Sequence, residues 1–345
     1  MIKVLIVDDS AVARELLEHI LGSDPEIEVI GSARSGAEAL AVLEHKRPDV
    51  ITMDVHMPGI DGFETTSRIM TEHPVPVVIV TSSLDAHTDS ANFRTLEAGA
   101  LAILLKPPGV GHRDHERAAA QLVQTVRLMS EVRVVRRSIR PAKVRQPGAL
   151  AAAALQAPVK IVAIGASTGG PVVVRNILAA LPADFPVPLL VVQHMAEEFI
   201  AGFCEWMDNS CAIRVKVAQQ GEFLKPGSAY VAPGGVEMGV DRRQERIILT
   251  RGKSGQSLCP SVSHLFHNMA EQFGEDAVGI LLTGMGSDGA QGLKAMKERG
   301  ALTIAQDEES SVIFGMPREA VKLKAAQHVL PPDSIIAMLL ALVKR

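Results

Sequence analysis

The chain has 345 residues, more than one hydrophobic core usually holds, so two domains of ordinary size are expected. The sequence is 47% hydrophobic but only 3% aromatic, and its formal net charge at pH 7 is −4. The scarcity of aromatic rings argues against a protein that stacks on nucleic-acid bases, and the negative charge adds no general attraction for polyanions.

Secretion and membrane insertion are not expected. The opening sequence MIKVLIVDDS contains an apolar run too short for a signal peptide, because Asp8 and Asp9 interrupt it. No later stretch approaches the ~20 uninterrupted apolar residues of a transmembrane helix. Three cysteines, without metal-ligand spacing, predict neither a disulfide framework nor a zinc site and suit a reducing compartment. We therefore expect a soluble, cytoplasmic protein.

The first part of the chain alternates short aliphatic runs with amphipathic segments. Buried parallel strands are predicted at 2–7, 29–31, 49–53, 75–80 and 101–105. Helices are predicted at about 11–21, 36–46, 62–72, 89–98 and 115–132. Five strands alternating with five helices predict a doubly wound, flavodoxin-like α/β domain over residues 1–132.

The pattern changes over residues 133–157, where basic residues, prolines and an alanine run predict a linker. Its basic side chains could contact an acidic membrane or partner, although a solvated connector is the favoured interpretation. Strands resume at 160–165, 188–194, 228–234, 246–250, 277–284 and 301–306. Residues 158–345 are therefore predicted to form a second, Rossmann-like α/β/α domain with a doubly wound parallel sheet.

Polar residues follow the strands of the first domain: Asp8, Asp9, Asp54, Thr81 and Lys106. Parallel topology brings these positions to one edge of the sheet. Three mutually repelling carboxylates suit a hard cation such as Mg²⁺, with Asp54 as a nucleophile for phosphoryl transfer and Lys106 as a balancing charge. The sequence KPP could place a cis bond after Lys106 and so aim the lysine. The alternative is that these acids are ordinary solvated loop residues.

The motifs VDDS, MDVHMPGIDG, VTSS and LKPP resemble those of response-regulator receiver domains, in the same order and spacing, over residues 1 to about 130. The resemblance implies that Asp54 accepts a phosphoryl group from a histidine kinase. It also implies roles for the neighbouring residues, with Mg²⁺ bound by Asp8 and Asp9 and a surface change coupled to phosphorylation by Thr81 and Lys106. Ile103 stands where many receivers carry Tyr or Phe, so an aromatic flip cannot be the readout.

The sequence VAIGASTGGP, residues 162–171, predicts a second site. GASTG fits G-x-S-x-G between a strand and a helix, as in a nucleophile elbow at Ser167, although such a turn can also bind phosphate. A base and an acid favour the nucleophile, because His194 ends the strand LLVVQH and Asp288 follows the strand AVGILLTG. The chain order Ser, His, Asp differs from that of α/β-hydrolases, which indicates a separate fold with the same chemistry.

Other residues compete for these roles. His264 and His267 lie in an amphipathic helical segment, where packing or capping is the favoured interpretation, and His328 near the last strand is read as structural. Asp307, at another strand end, is the alternative to Asp288 as the acid.

The second domain resembles the catalytic domain of chemotaxis-type protein-glutamate methylesterases through GASTGGP, VVQHM, YVAPGG, CPSV, LLTGMGSDGAQG and TIAQDEESSVIFGMPREA. The order receiver, linker, esterase is also that family's. The resemblance implies hydrolysis of glutamyl methyl esters on chemoreceptors, glutamine deamidation, and a role in chemotaxis adaptation. It implies Ser167 as nucleophile, His194 as base, Asp288 as acid, and oxyanion support from Thr168 and the Met285 N–H. No cofactor is implied for the esterase.

Two positions depart from the family pattern: Glu237 stands where relatives often have His, and Ser263 where they often have Asp. Both departures bear on substrate fit and rate. Two rival functions remain open at this point. A receiver with a DNA-binding output would need a basic helix-turn-helix, and a catalytically inactive receptor scaffold would not need a triad.

Overall fold

The computed structural model describes residues 1–82, 93–132, 134, 159–252 and 259–341. The chain divides into two compact units, Met1–Pro141 and Ala142–Arg345. The predicted linker, 133–157, lies outside the described residues except for residue 134. Within the described ranges, the helices are all too short or too polar to cross a bilayer.

The first unit is built on a parallel sheet. Its strands are β1 Ile2–Val7, β2 Ile27–Ala33, β3 Val50–Met53, β4 Val77–Thr81 and β5 Ala102–Leu105. They lie in the order β2-β1-β3-β4-β5, and each neighbouring pair is parallel. Strands β3 and β4 are buried along their whole length, which is why their sequences are continuous aliphatic runs. The predicted flavodoxin-like fold is confirmed.

Side-chain caps fix where the helices of the first unit begin. These helices are α1 Ala11–Gly22, α2 Gly36–Leu43, α3 Gly62–Glu72 and α4 His115–Ser130, with a further helical stretch at 93–98. Ser10, Ser35 and Asp61 each accept a hydrogen bond from the backbone N–H three residues later, which satisfies one of the unpaired donors of a helix start. The start of the predicted helix at 89–98 lies outside the described residues.

The second unit has a larger sheet flanked by helices. Its strands are β6 Ile161–Ala166, β7 Leu189–Gln193, β8 Arg214–Val217, β9 Ser228–Val231, β10 Val236–Asp241, β11 Arg246–Arg251, β12 Ala277–Leu281, β13 Leu302–Gln306 and β14 His328–Leu330. Its helices are α5 Gly170–Ala179, α6 Ile200–Asp208, α7 Val262–Gln272, α8 Ala290–Glu298, α9 Met316–Lys322 and α10 Pro332–Ala341, with short 3₁₀ turns at Glu197–Phe199 and Gly274–Asp276. The parallel sheet has the order β14-β13-β12-β6-β7-β9-β8. Helix α5 packs with α10 and α7 with α8, which gives the predicted three layers.

An antiparallel pair, β10 with β11, was not expected from the sequence. The expected strand at 246–250 belongs to it, and its partner at 236–241 was missed. Only four residues join the two strands, too few for the crossover that a parallel pair requires, so the connection is a hairpin. The short strands β8 and β14 were missed as well. The pair packs against α7, where the N–H of Val240 donates to Asn268 Oδ1 at 2.7 Å.

Both sheets have a point where successive connections leave in opposite directions. In the first sheet it lies between β1 and β3, and in the second between β6 and β12. Ligand and catalytic sites of open α/β sheets lie outside the carboxyl ends of the strands at such points. Among the residues singled out in the sequence, Asp8, Asp54 and Ser167 follow or end such strands, and Asp288 lies in the loop after β12.

Candidate functional site

Ser167 and His194 follow neighbouring strands, β6 and β7. The backbone N–H of His194 donates to the carbonyl oxygen of Ala166 at 2.9 Å, and the N–H of Ser167 donates to the carbonyl oxygen of Thr283, just after β12, at 3.0 Å. The backbone of Ser167 is therefore held between two strand ends at the point where the connections diverge.

A tight turn leads from Ser167 into helix α5. The N–H of Gly170 donates to the carbonyl oxygen of Ser167 at 2.8 Å, and Gly169 has a φ of 77°, in the left-handed region that favours glycine. A methyl group on Gly169 would also overlap Val312. The glycines therefore permit the sharp turn, and Ser167 remains half-buried rather than covered.

The imidazole of His194 contacts the carboxylate of Asp288, with 2.9 Å between Nε2 and Oδ2. Both side chains are about nine-tenths buried, at 10% and 11% exposure. A carboxylate accepts, so Nε2 carries the proton and Nδ1 keeps a lone pair. This tautomer is assigned from the hydrogen bond, and it leaves Nδ1 as the atom of His194 that can accept a proton.

The carboxylate of Asp288 lies at the N-terminus of helix α7 and accepts several further hydrogen bonds. Its other donors are Ser261 Oγ at 2.9 Å, the Val262 N–H at 2.7 Å, the Ser263 N–H at 3.0 Å and the N–H of Gly289 at 2.9 Å. Burial alone would raise the pKa of Asp288, but the hydrogen bonds from His194 and Ser263 lower it well below its usual range. Asp288 is thus held as an anion in a fixed orientation.

The loop after β12 passes close to Ser167. A methyl group on Gly284 would lie 2.6 Å from Ser167 Cβ, so the two backbones can meet only because Gly284 has no side chain. Met285 follows in this loop and is 38% exposed. The Thr283 hydroxyl donates to the carbonyl oxygen of Thr168 at 3.0 Å. The two residues predicted to support an oxyanion, Thr168 and Met285, therefore lie on segments that adjoin Ser167.

The competing residues lie elsewhere in the second unit. His264 and His267 are exposed on helix α7, and His328 begins strand β14. Asp307 accepts a hydrogen bond from the N–H of Ser310 at 3.1 Å and so caps its own turn. The carboxylate that contacts His194 is that of Asp288, not that of Asp307.

In the first unit, the acidic residues predicted to meet do meet. One carboxylate oxygen from each of Asp8, Asp9 and Asp54 lies within 4.8 Å of the others. Lys106 Nζ lies 2.7 Å from Asp8 Oδ2 and 2.9 Å from Asp54 Oδ2. Thr81 is buried at the end of β4, and its carbonyl oxygen accepts from the Lys106 N–H at 2.9 Å.

Burial in this cluster affects the pKa values of Asp8 and Lys106. It raises the pKa of Asp8, although the ammonium of Lys106 acts in the opposite direction. The same burial disfavours the charge of Lys106, but the nearby carboxylates of Asp54 and Asp8 outweigh it and raise the lysine pKa. Asp8 Oδ2 is buried and lies beside the ammonium, yet it has no well-directed hydrogen bond.

Comparisons with known proteins assign both units. Residues 162–339 match the CheB methylesterase family, and residues 4–112 match the response regulator receiver domain. The protein-glutamate methylesterase/protein-glutamine glutaminase 1 of Syntrophus aciditrophicus is 50% identical over 347 residues, which cover 99% of this chain and 98% of that protein. The chain belongs to the CheB methylesterase family. Another relative, the protein-glutamate methylesterase/protein-glutamine glutaminase 4 of Geobacter metallireducens, is 51% identical over 99% of both chains.

A solved member of the CheB family matches the second unit. The crystal structure of the Thermotoga maritima CheB methylesterase catalytic domain is 36% identical, with a TM-score of 0.52, and the match covers 54% of this chain and 100% of that one. The resemblance stated from the sequence motifs is therefore confirmed at the level of family and fold.

The two positions expected to depart from the CheB family pattern, Ser263 and Glu237, contact Asp288 and Ser261 respectively. Ser263 donates its N–H to Asp288 Oδ1, while its hydroxyl accepts from the Gly289 N–H at 2.7 Å. Glu237 is 3% exposed on β10 and accepts from the N–H of Ser261 at 2.8 Å. Ser263 and Glu237 therefore contact the acid or the segment that holds it.

Sequence reasoning missed a further residue of this CheB-family site, Gln193. Its side chain is buried, and Nε2 donates both to the carbonyl oxygen of Ser167 at 2.8 Å and to that of His194 at 3.1 Å. The only available signal was its place directly before His194.

The prediction of a cis peptide bond after Lys106 is wrong. Across the described residues, the cis peptide bond is Cys259–Pro260, in the segment that leads to α7. Lys106 reaches the carboxylates from a trans backbone, since β5 already ends beside β4 at this edge of the sheet.

Proposed function

We propose that this chain hydrolyses glutamyl methyl esters on methyl-accepting chemoreceptors, with release of methanol, and deamidates receptor glutamines to glutamate. The observation that carries the proposal is the hydrogen bond between His194 and Asp288 beside the turn that presents Ser167. The names of the relatives, protein-glutamate methylesterase/protein-glutamine glutaminase, support the reaction and the substrate class.

In the proposed reaction, the Ser167 hydroxyl attacks the ester carbonyl while Nδ1 of His194 accepts the hydroxyl proton. Asp288 holds the ring and stabilises the imidazolium that forms. The backbone N–H of Met285, with Thr168, stabilises the oxyanion, a contribution worth roughly 10²–10³ in rate for one donor. Methanol leaves with the proton from His194, and water then releases the glutamate. With a glutamine side chain the leaving group is ammonia.

In the receiver, we propose that Asp54 accepts a phosphoryl group from a histidine kinase, with Mg²⁺ held by Asp8, Asp9 and Asp54. Three convergent carboxylates, one with a buried oxygen that lacks a directed hydrogen bond, fit a hard cation that prefers oxygen ligands. The ion would neutralise charge on the phosphoryl oxygens. Lys106 would balance the same charge, and with Thr81 would couple phosphorylation to the surface of the domain.

The proposed organisation is a receiver at 1–132, a linker at 133–157 and a methylesterase domain at 158–345, in a cytoplasmic protein that serves chemotaxis adaptation. We expect the unphosphorylated receiver to inhibit the esterase. Phosphorylation of Asp54 would weaken this inhibition by about 1–3 kcal/mol, or roughly 5- to 150-fold. Removal of residues 1–157 would relieve it without a phosphodonor.

Methanol release from methylated receptor fragments tests the proposal. We would compare the full chain, Ser167→Ala and the 158–345 fragment, each with and without acetyl phosphate, with Ser210→Ala as a control because Ser210 only caps helix α6. We expect Ser167→Ala to lose activity by several orders of magnitude, and only the full chain to respond to acetyl phosphate. Methanol release by Ser167→Ala at the wild-type rate would reject the mechanism, and none from any sample would favour a receptor scaffold or another ester.

A further inference from the structure

Glu237 is a buried carboxylate that the proposed reaction does not use. It lies on β10 with 3% of its surface exposed, opposite Thr250 of β11. Its Oε2 accepts from the backbone N–H of Ser261 at 2.8 Å, and this contact is buried. A charged or polar side chain is rarely buried to this extent without partners, so its contacts indicate what it holds in place.

Ser261 forms hydrogen bonds to both Glu237 and Asp288. Its N–H donates to Glu237, and its hydroxyl donates to Asp288 Oδ1 at 2.9 Å. It is also the N-cap of α7, since the same hydroxyl accepts from the N–H of His264 at 3.2 Å. The next residue, Val262, donates its N–H to Asp288 Oδ2, the oxygen that accepts from His194. One residue therefore connects Glu237 to the carboxylate that orients the imidazole.

We propose that Glu237 is a positioning residue, which fixes the backbone at Ser261 and thereby the donors that orient Asp288 towards His194. This inference rests on the proposed function, because it assigns Glu237 to the reaction of the same site. Glu237 itself does not touch the reacting atoms.

Cys259 lies on the same segment, two residues before Ser261. Burial and the neighbouring carboxylate of Glu237 raise the pKa of the Cys259 thiol, although a backbone hydrogen bond with Gly252 acts in the opposite direction. The contact of Glu237 that leads to Asp288 is the one with the Ser261 N–H.

We expect loss of the hydrogen bond between Ser261 and Glu237 to lower the catalytic rate, because the triad tolerates little displacement. A shift of about 1 Å in a catalytic group can cost ~10²-fold in rate. Replacement of Glu237 by Met leaves the buried Ser261 N–H without an acceptor, whereas Gln keeps an oxygen there. The acceptor, and not the charge, is what the geometry requires.

The chain offers a matched control at the same interface between β10 and α7. Asn268 Oδ1 accepts from the backbone N–H of Val240 at 2.7 Å. Val240 lies three residues after Glu237 on β10, and Asn268 lies seven residues after Ser261 on α7. Asn268→Leu therefore also removes a hydrogen bond between β10 and α7, but one that does not involve Ser261.

The experiment compares wild type, Glu237→Met, Glu237→Gln and Asn268→Leu in the full chain with acetyl phosphate. It measures kcat and KM for methanol release, thermal unfolding, and the low-field proton resonance of the His194–Asp288 hydrogen bond. For Glu237→Met we expect kcat to fall by about 10- to 100-fold with KM unchanged, and the resonance to shift or broaden. Glu237→Gln should restore both, and Asn268→Leu should lower the unfolding temperature while it leaves kcat and the resonance near wild type.

Equal losses of kcat in Glu237→Met and Asn268→Leu would overturn the proposal, as would failure of Glu237→Gln to restore the rate. If Glu237→Met does not fold, Ser261→Ala replaces it, since it removes the hydroxyl link to Asp288 and must reproduce the loss of kcat. The resonance is read without substrate. A chain that releases no methanol would therefore refute the proposed function while the resonance still decides whether Glu237 positions Asp288.

Discussion

Replacement of Asp288 by Asn tests the candidate site most directly, because the donors around the carboxylate dictate how an amide must sit. Oδ1 of Asp288 accepts from three donors and Oδ2 from two, one of which is Nε2 of His194. The amide oxygen takes the side with three donors, so the amide NH₂ faces the other two. It can bond His194 only if Nε2 becomes an acceptor, which moves the ring proton to Nδ1.

The proton on Nδ1 removes the base that Ser167 needs. An amide in place of the acid of a Ser-His-Asp triad fixes the wrong tautomer and costs about 10⁴-fold in kcat. Stability falls much less. The Val262 N–H, which donates to Oδ2 at 2.7 Å, is left facing an NH₂ group, and one unsatisfied buried donor costs about 1–3 kcal/mol. For a domain of this size that corresponds to a fall of roughly 2–4 °C in unfolding temperature per kcal/mol.

The effect of this substitution on stability also depends on pH. The folded pKa of Asp288 lies well below its usual value, since hydrogen bonds from His194 and Ser263 overcome the opposing effect of burial. A depressed pKa stabilises the fold fully above the unfolded value of about 3.9, and this contribution is lost as the pH falls below it. The difference in unfolding temperature between wild type and Asp288→Asn should therefore be largest near neutral pH and shrink below about pH 4.

Methanol release, labelling of Ser167 by a fluorophosphonate, and thermal melts across pH measure these effects together. Slow labelling with a folded protein would locate the defect in activation of the nucleophile. A kcat for Asp288→Asn within tenfold of wild type would refute the reasoning, because the hydrogen bond to Asp288 would then not set the tautomer of His194. If the difference in unfolding temperature between wild type and Asp288→Asn is constant with pH, the fold does not preferentially stabilise the charged form of Asp288.

Three further perturbations follow from single contacts. Gly284→Ala places a methyl group 2.6 Å from Ser167 Cβ, so we expect kcat to fall about 10²-fold with little change in KM, measured by methanol release. Gln193→Met frees the carbonyl oxygens of Ser167 and His194, and we expect slower fluorophosphonate labelling in a chain that still folds; an unchanged rate would show that the amide only packs. Lys106→Met removes the ammonium that contacts two buried carboxylates, which should cost on the order of 3 kcal/mol in thermal melts, with more recovery on addition of Mg²⁺ than wild type shows.

Strand order explains why so much of the site could be predicted from sequence. Parallel strands place their carboxyl ends at one edge, so residues that directly follow a strand meet whatever their distance along the chain. Asp54 and Lys106 are 52 residues apart in the chain, yet Lys106 Nζ lies 2.9 Å from Asp54 Oδ2. His194 and Asp288 are separated by 94 residues and are joined by a hydrogen bond. Aliphatic runs that end in a polar residue locate Asp54, Lys106 and His194, whereas Asp288 lies further along the loop that follows β12.

The residues that support the site could not be found in this way. Glu237 comes from an antiparallel pair whose first strand, with the sequence VEMGVD, has no continuous aliphatic run. Ser261 acts through the start of helix α7, and Gln193 through two backbone carbonyls. These contacts depend on where a loop closes onto the sheet. Periodicity identifies elements but does not report how loops meet.

The two acidic sites show why position at a sheet edge does not by itself decide what a carboxylate does. Asp8 is buried beside other acids, and burial raises its pKa despite the nearby ammonium of Lys106. Asp288 is also buried, yet its donors include the first N–H groups of a helix and the ring of His194, and its pKa falls. A cation bound beside Asp8 would add a positive charge that favours the anionic form of that carboxylate. Asp288 already accepts hydrogen bonds from backbone N–H groups, the Ser261 hydroxyl and one imidazole, and these bonds fix its orientation towards His194.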